Sequence, residues 1–245
     1  MIRRLLFSIA FSAILYPGLN SQEPVKYQLP PEEIVRIVDA PVTPIVSISP
    51  DKKTMVLVER PPIITISELS AEELRLAGLR LDPATSGPSR QNFNKGFKLM
   101  NIDGTNIRDI TGMPVNPDLG SPVWSANGKK FAFTNSVSNG IELWICDVPE
   151  AKASKIDDGI SLVFGSQIQW LSGNSSLIYS KTDQNRVSRP VRSSVPDGPV
   201  IQENLGKEGQ APTYQDLLKD PVDEAIFEYY AKSQLMRWDG SSGTK

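Results

Sequence analysis

Histidine is absent from the 245-residue chain, and cysteine occurs once, at Cys146. The first absence excludes a Ser-His-Asp triad, a Cys-His dyad and any imidazole-ligated metal built from this chain alone. The second excludes an internal disulfide framework and a Cys-rich zinc site. A basic block is also missing: 26 Lys+Arg stand against 28 Asp+Glu. Nucleic-acid binding rests on phosphate neutralisation, so this balance argues against it. What is present is ordinary for a globular chain, with 39% hydrophobic and 22% charged residues. Seventeen glycines and 20 prolines predict many turns between short elements.

The first 21 residues read as an export signal rather than as part of a fold. Arg3 and Arg4 precede the apolar run Leu5 to Tyr16, and Pro17-Gly18 breaks any helix. That layout is a secretory signal peptide, too short to span a bilayer comfortably, with cleavage expected near Ser21. An uncleaved anchor is the alternative, and it is the one route to a membrane. Removing the two arginines leaves 24 basic against 28 acidic residues, a net charge of −4. A periplasmic or secreted location follows from this reading.

Residues 22–40 read as an N-terminal extension with one short helix. Pro30-Pro31-Glu32-Glu33 suits a first helical turn, and Ile34, Ile37 and Val38 share a face. From residue 41 the pattern becomes short β-branched runs with a period of two. Ile45–Ile48 and Thr54–Val58 flank a turn and predict a hairpin. An insertion over about 61–92 interrupts the pattern, and the Ser70–Glu73 spacing predicts a helix inside it. Strand-like runs resume at 97–102, 106–110, 121–125, 130–135, 141–147, 166–171 and 176–181. Further on, Thr213–Leu218 predicts a short helix, Asp220-Pro221 offers a cap and a first-turn proline, and 225–230 and 234–238 read as strands.

One motif recurs. Ile48-Ser49-Pro50-Asp51-Lys52-Lys53, Trp124-Ser125-Ala126-Asn127-Gly128-Lys129 and Trp170-Leu171-Ser172-Gly173-Asn174-Ser175 each precede an apolar strand. The second and third copies have the spacing of a four-stranded propeller blade, and the insertion accounts for the longer first interval. The residue before each turn can pack between neighbouring blades, while Asp, Asn or Gly supplies the turn backbone. The predicted fold is therefore all-β, an incomplete β-propeller of four-stranded antiparallel blades with short helical insertions, over residues 41–245. A sandwich with similar hairpins is the alternative.

The chain resembles the propeller portion of prolyl-oligopeptidase-like serine peptidases, in their exported glutamyl-endopeptidase-like branch. The likeness is carried by Pro30-Pro31-Glu32-Glu33-Ile34, Ser47-Ile48-Ser49-Pro50-Asp51, Ser67-Glu68-Leu69 and Glu73-Leu74-Arg75-Leu76-Ala77-Gly78-Leu79-Arg80. It continues in Gly87-Pro88-Ser89-Arg90, Gly198–Asn204, Thr213–Leu218 and Phe227-Glu228-Tyr229-Tyr230. The resemblance implies an α/β-hydrolase domain after the propeller, but no Gly-x-Ser-x-Gly occurs here and Gly240-Ser241-Ser242-Gly243 has the wrong spacing. The chain then reads as a truncated propeller, inactive alone, that gates and helps bind peptides for a hydrolase domain on a separate chain. The alternative is a stand-alone exported propeller that binds a protein partner.

No catalytic residue, cofactor or metal is assigned. Arg186, Arg189 and Arg192 are the candidate substrate-binding residues, because guanidinium groups pair with carboxylates and a glutamate-selective peptidase needs a cation. A solvated loop cluster is the alternative for these three. Arg75 and Arg80 fall under the same suspicion at lower weight. Asp157-Asp158-Gly159 lacks the spacing of a calcium loop and reads as a turn. Cys146 and Trp124, Trp144, Trp170 and Trp238 read as packing residues.

Overall fold

The computed structural model describes residues 27–193, 198, 206 and 214–245. The proposed signal segment and the strings at 199–204 and Thr213 lie outside these residues. The chain divides into two units between Ala40 and Pro41. The first contains helix α1 (Glu32–Val38), which starts after Pro31 and carries Glu32 and Glu33 in its first turn. Acids there complement the exposed N–H groups of the helix start. Arg36 and Glu32, one turn apart, lie 4.0 Å from each other.

In the second unit β1 (Ile45–Ile48) and β2 (Thr54–Glu59) form the expected hairpin. The insertion follows, with helix α2 (Ile66–Ser70) and strands β3 (Leu74–Leu76), β4 (Leu79–Asp82) and β5 (Gly87–Pro88). Strands β6 (Gly96–Asn101) and β7 (Arg108–Asp109) return to the first hairpin and complete an antiparallel sheet of order β1-β2-β6-β7. A second sheet, β8 (Val123–Trp124), β9 (Lys130–Val137), β10 (Gly140–Asp147) and β11 (Lys152–Asp157), is a simple meander. A third has the order β12 (Gln169–Trp170), β13 (Ser176–Thr182), β14 (Ser233–Asp239), and helix α3 (Pro221–Ala231) lies between β13 and β14 in the chain. The arrangement is all-β and propeller-like, with no closed ring among the described residues. Three of its sheets are blade-like.

The repeated turn has one geometry in all three sheets. Ser49, Ser125 and Leu171 each donate their N–H to the carbonyl of the first residue of the next strand, Thr54, Lys130 and Ser176, all at 2.9 Å. Lys52, Gly128 and Asn174 occupy the same turn position with φ of 56°, 69° and 57°. Ser49 and Ser125 brace their turns by donating to Asp51 (2.7 Å) and Asn127 (2.9 Å). The residue before the turn joins neighbouring sheets, as expected from the repeat. Trp124 Nε1 donates to Ser47 Oγ (2.9 Å), and Trp170 Nε1 donates to the Val123 carbonyl (2.8 Å). Ser47 and Val123 are equivalent positions, so each indole grips the same place on the preceding sheet.

Strand β9 shows why the middle sheet is apolar on both faces. Phe131 and Phe133 enter a cluster with Val56, Val58, Phe97 and Leu99 of the first sheet. Ala132 turns to the other side, where Ile141, Leu143 and Ile145 meet Leu177, Tyr179 and Trp238 of the third. A sheet covered on both faces no longer alternates apolar and polar. Cys146 is fully buried in the first cluster, where burial, with Asp147 adding, pushes its thiol up to about 12.

Three sequence expectations are corrected. The helix begins after Thr65, not Ser70: Thr65 accepts from the Glu68 N–H (3.2 Å), and Glu68 accepts from the Thr65 N–H (2.7 Å). The residues after Ser70 form the β3–β4 hairpin, because Leu74, Leu76, Leu79 and Leu81 alternate around Ala77-Gly78, whose φ values of 51° and 79° suit a tight two-residue turn. Residues 225–230 are helical rather than extended. Asp220 accepts from the N–H groups of Val222 and Asp223 (2.9 Å each), Pro221 opens α3, and Ile226 and Tyr230 fall one turn apart on the buried face. Residues 214–219 form no helix, and Asp216 has a positive φ of 56°. Strand β11 carries too few apolar residues to announce itself, and its pairing with β10 makes it a strand.

Candidate binding cleft on the insertion

The insertion sheet and α3 make a third apolar cluster, of Leu76, Leu81, Val163, Ile226 and Tyr230. The Tyr230 hydroxyl reaches back to the Pro83 carbonyl (3.1 Å), which ties the helix to the insertion. Beside this cluster an open cleft of about 600 Å³ is lined by Glu73–Leu76, Arg189–Arg192, Asp223 and Ile226. Its walls therefore come from β3, the loop after β13, and the first half of α3. Apolar side chains form part of its lining and charged groups the remainder.

The three sequence-predicted arginines gather around α3, and each already has a partner. Arg186 lays its guanidinium over Tyr229, 4.6 Å from the ring centre, and donates to Ser86 Oγ (3.1 Å). Its Nη1 is buried without a hydrogen-bond partner. Arg189 pairs with Glu72 (3.2 Å) at the surface and sits 6.0 Å from the Tyr230 ring centre. Arg192 donates to Asp220 (2.6 Å) and Asp223 (2.5 Å), which holds its guanidinium above the ordinary value and Asp220 below the usual carboxylate range. Of the three, Arg189 and Arg192 line the cleft and Arg186 does not; it lies beside a smaller cavity of about 230 Å³ with Asn185, Tyr229 and Lys232.

Sequence reasoning gave Arg75 less weight, but it enters the same cleft. It pairs with Glu73 (2.9 Å), a carboxylate that also accepts from Ser89 (2.6 Å) and lies 3.5 Å from Arg90. The Ser89 bond, with help from the two arginines, holds Glu73 below the ordinary value. Arg80 points elsewhere, to Asp216 (3.5 Å). The sequence reading used Glu73 only as a helix-capping partner and as part of a matched string, and did not single out Asp223. The Leu-Arg-Leu alternation that sets β3 was the signal for the first, and the helix cap at Asp220 was the signal for the second.

Among the described residues no group of three or more His, Cys, Asp and Glu side chains is arranged to hold a metal ion. Asp157 is instead a buried acceptor at the seam of the second and third sheets. It takes hydrogen bonds from Tyr179 (2.6 Å), Lys181 (2.8 Å) and Lys245 (2.7 Å).

No protein-family model matches the chain. The chain is 35% identical over 226 residues to a probable chloroplastic glutamyl endopeptidase of Oryza sativa subsp. japonica, covering 86% of this chain and 24% of that protein. A probable chloroplastic glutamyl endopeptidase of Arabidopsis thaliana is also 35% identical, over 224 residues, covering 86% and 23%. The chain thus spans about a quarter of the length of the curated relatives it matches. Among solved structures it is similar to the acylaminoacyl peptidase of Pyrococcus horikoshii (15% identity, 66% of this chain, 20% of that one, TM-score 0.37). It is also similar to the β-propeller domain of the Trilobed protease from Pyrococcus furiosus (14% identity, 57% and 34%, TM-score 0.32).

Proposed function

We propose that this chain is the peptide-binding propeller portion of a glutamyl-endopeptidase-like serine peptidase and works with a hydrolase domain carried elsewhere. The observation that carries this reading is the 35% identity over 86% of the chain to two glutamyl endopeptidases. A chain without histidine supplies no general base of the serine-peptidase kind, so its contribution is to bind, orient and gate peptides. The cleft beside α3 supports a role for Arg75, Arg189 and Arg192 in attracting an acidic peptide. Their present carboxylate partners would be exchanged for one from the ligand, which limits the gain from each contact. Export to a periplasm or beyond belongs to the same proposal and is supported by the layout of residues 1–21.

Purified chain is expected to leave a chromogenic glutamyl substrate intact, while binding a fluorescent Glu-containing peptide more tightly than its Gln counterpart. Arg189→Ala should weaken that binding by about tenfold, the loss expected when one charge-assisted hydrogen bond goes. Robust hydrolysis, or equal binding of the two peptides, would sink the proposal.

A further inference from the structure

The three arginines that line the cleft are not held equally by their partners. Arg192 is clamped between Asp220 (2.6 Å) and Asp223 (2.5 Å), and both acids also accept backbone N–H groups at the start of α3. Arg75 meets Glu73, whose side chain is 5% exposed and is fixed from two further directions by Ser89 and Arg90. Arg189 is different. Its ion pair runs from Nη2 to Glu72 (3.2 Å), in the link between α2 and β3, 117 positions away in the chain. The Glu72 side chain is 63% exposed. Among the described residues Glu72 accepts no other side-chain hydrogen bond and Arg189 donates no other.

We propose that Glu72 is a tethered competitor for the carboxylate of an acidic ligand, and that Arg189 is the arginine of the cleft at which the exchange takes place. This rests on the reading of the cleft as a site for acidic peptides. A single bond between two exposed, long side chains contributes little, because water and salt screen it and both chains must be held still. A guanidinium presents two parallel N–H groups to a carboxylate, and Glu72 uses one of them. A ligand carboxylate that takes both replaces a weaker contact with a stronger one, and Glu72 returns to water. The same exchange at Arg75 would strand Glu73, and at Arg192 it would strand Asp223, whose side chain is 11% exposed. Leaving a buried carboxylate without its cation is costly. The cleft lining holds three arginines against two acids, Glu73 and Asp223. Once Glu72 moves aside, one positive charge is left over, the complement of one carboxylate.

The test is fluorescence anisotropy with the full chain, the fluorescent Glu-containing peptide and its Gln counterpart. Glu72→Gln removes the competitor and should tighten binding of the Glu peptide by about two- to fivefold, the equivalent of one exposed ion pair. The Gln peptide, which forms no charged pair, should gain less. In an Arg189→Ala background the same substitution should have no effect, because the competitor then has nothing to occupy. Glu224, an exposed residue of α3 beside Asp223, makes no ion pair among the described residues. Glu224→Gln therefore removes one negative charge without freeing Arg189 and should leave binding unchanged. Glu72→Gln should also leave thermal unfolding unchanged, as an exposed pair implies. Three results would overturn the proposal while the peptide reading stands: a Glu preference that Glu72→Gln does not sharpen, an equal gain from Glu224→Gln, or a gain that persists without Arg189. Equal binding of the two peptides by every variant would overturn that reading along with it.

Discussion

Asp157 has a side chain only 2% exposed, yet it meets two ammonium groups and a phenol on one carboxylate. Burial pushes its carboxyl up, but bonds from Lys181, Lys245 and Tyr179 and from the Asp158 N–H outweigh that and hold it at about 2, against an ordinary 3.8. The Tyr179 hydroxyl is pushed up, first by burial and then by its hydrogen bond to Asp157 and that group's charge. Because the folded value is the lower one, the stability this group contributes is complete above its unfolded value near 3.8. It is lost as pH falls through 2. Asp157→Asn should cost about 3 kcal/mol at neutral pH, the range for removing one partner of a buried ion pair. Chemical denaturation of both proteins should show the gap closing between pH 4 and pH 2; a gap that stays constant would dismiss the ionic account. The sequence marked this acid only as part of a turn, since its partners are 22, 24 and 88 positions away.

At the scale of the element, the recurring turn was legible because its chemistry is local. A serine, an Asp or Asn two residues on, and a position with positive φ make the same brace twice, and the reading located all three copies. Gly128 carries an extra constraint. An added Cβ would approach Asp51 of the neighbouring sheet to 2.8 Å, and the residue sits at φ 69°. Gly128→Ala should therefore destabilise the protein by about 1–2 kcal/mol, combining left-handed strain with the contact, as measured by urea midpoint. A change within a few tenths would mean the two turns move apart freely. Other elements were misread where local signals compete. Phe227-Glu228-Tyr229-Tyr230 has strand-like aromatic content, but the Asp220 cap, Pro221 and the burial of Ile226 and Tyr230 make it helical. Ser70 and Glu73 match a capping spacing, yet Thr65 and Glu68 form the box, because the following leucines are apolar at every second position.

For the whole molecule, cohesion between sheets rests on faces that interlock rather than on one shared core. Phe133 is fully buried and meets Phe97 edge-on at 5.3 Å and Trp144 stacked at 6.3 Å. Phe133→Ala should cost about 3–5 kcal/mol, the usual loss for an aromatic removed from a packed site. If the sheets unfold together, circular dichroism and tryptophan fluorescence will report one coincident transition in both proteins. Two separated transitions in the variant would show that the first sheet unfolds independently of the second and third.

The sequence by itself determined that no histidine-based catalysis is possible, that strands dominate, and that one tight turn recurs at the pace of a blade, because composition and turn chemistry are properties of neighbouring residues. It also singled out the three arginines around α3 by residue type. Tertiary structure alone decided that each of them is already paired and that Arg75 shares a cleft with Arg189 and Arg192. Those facts depend on groups brought together across long stretches of chain, where packing of one sheet on the next, rather than local preference, chooses the partner.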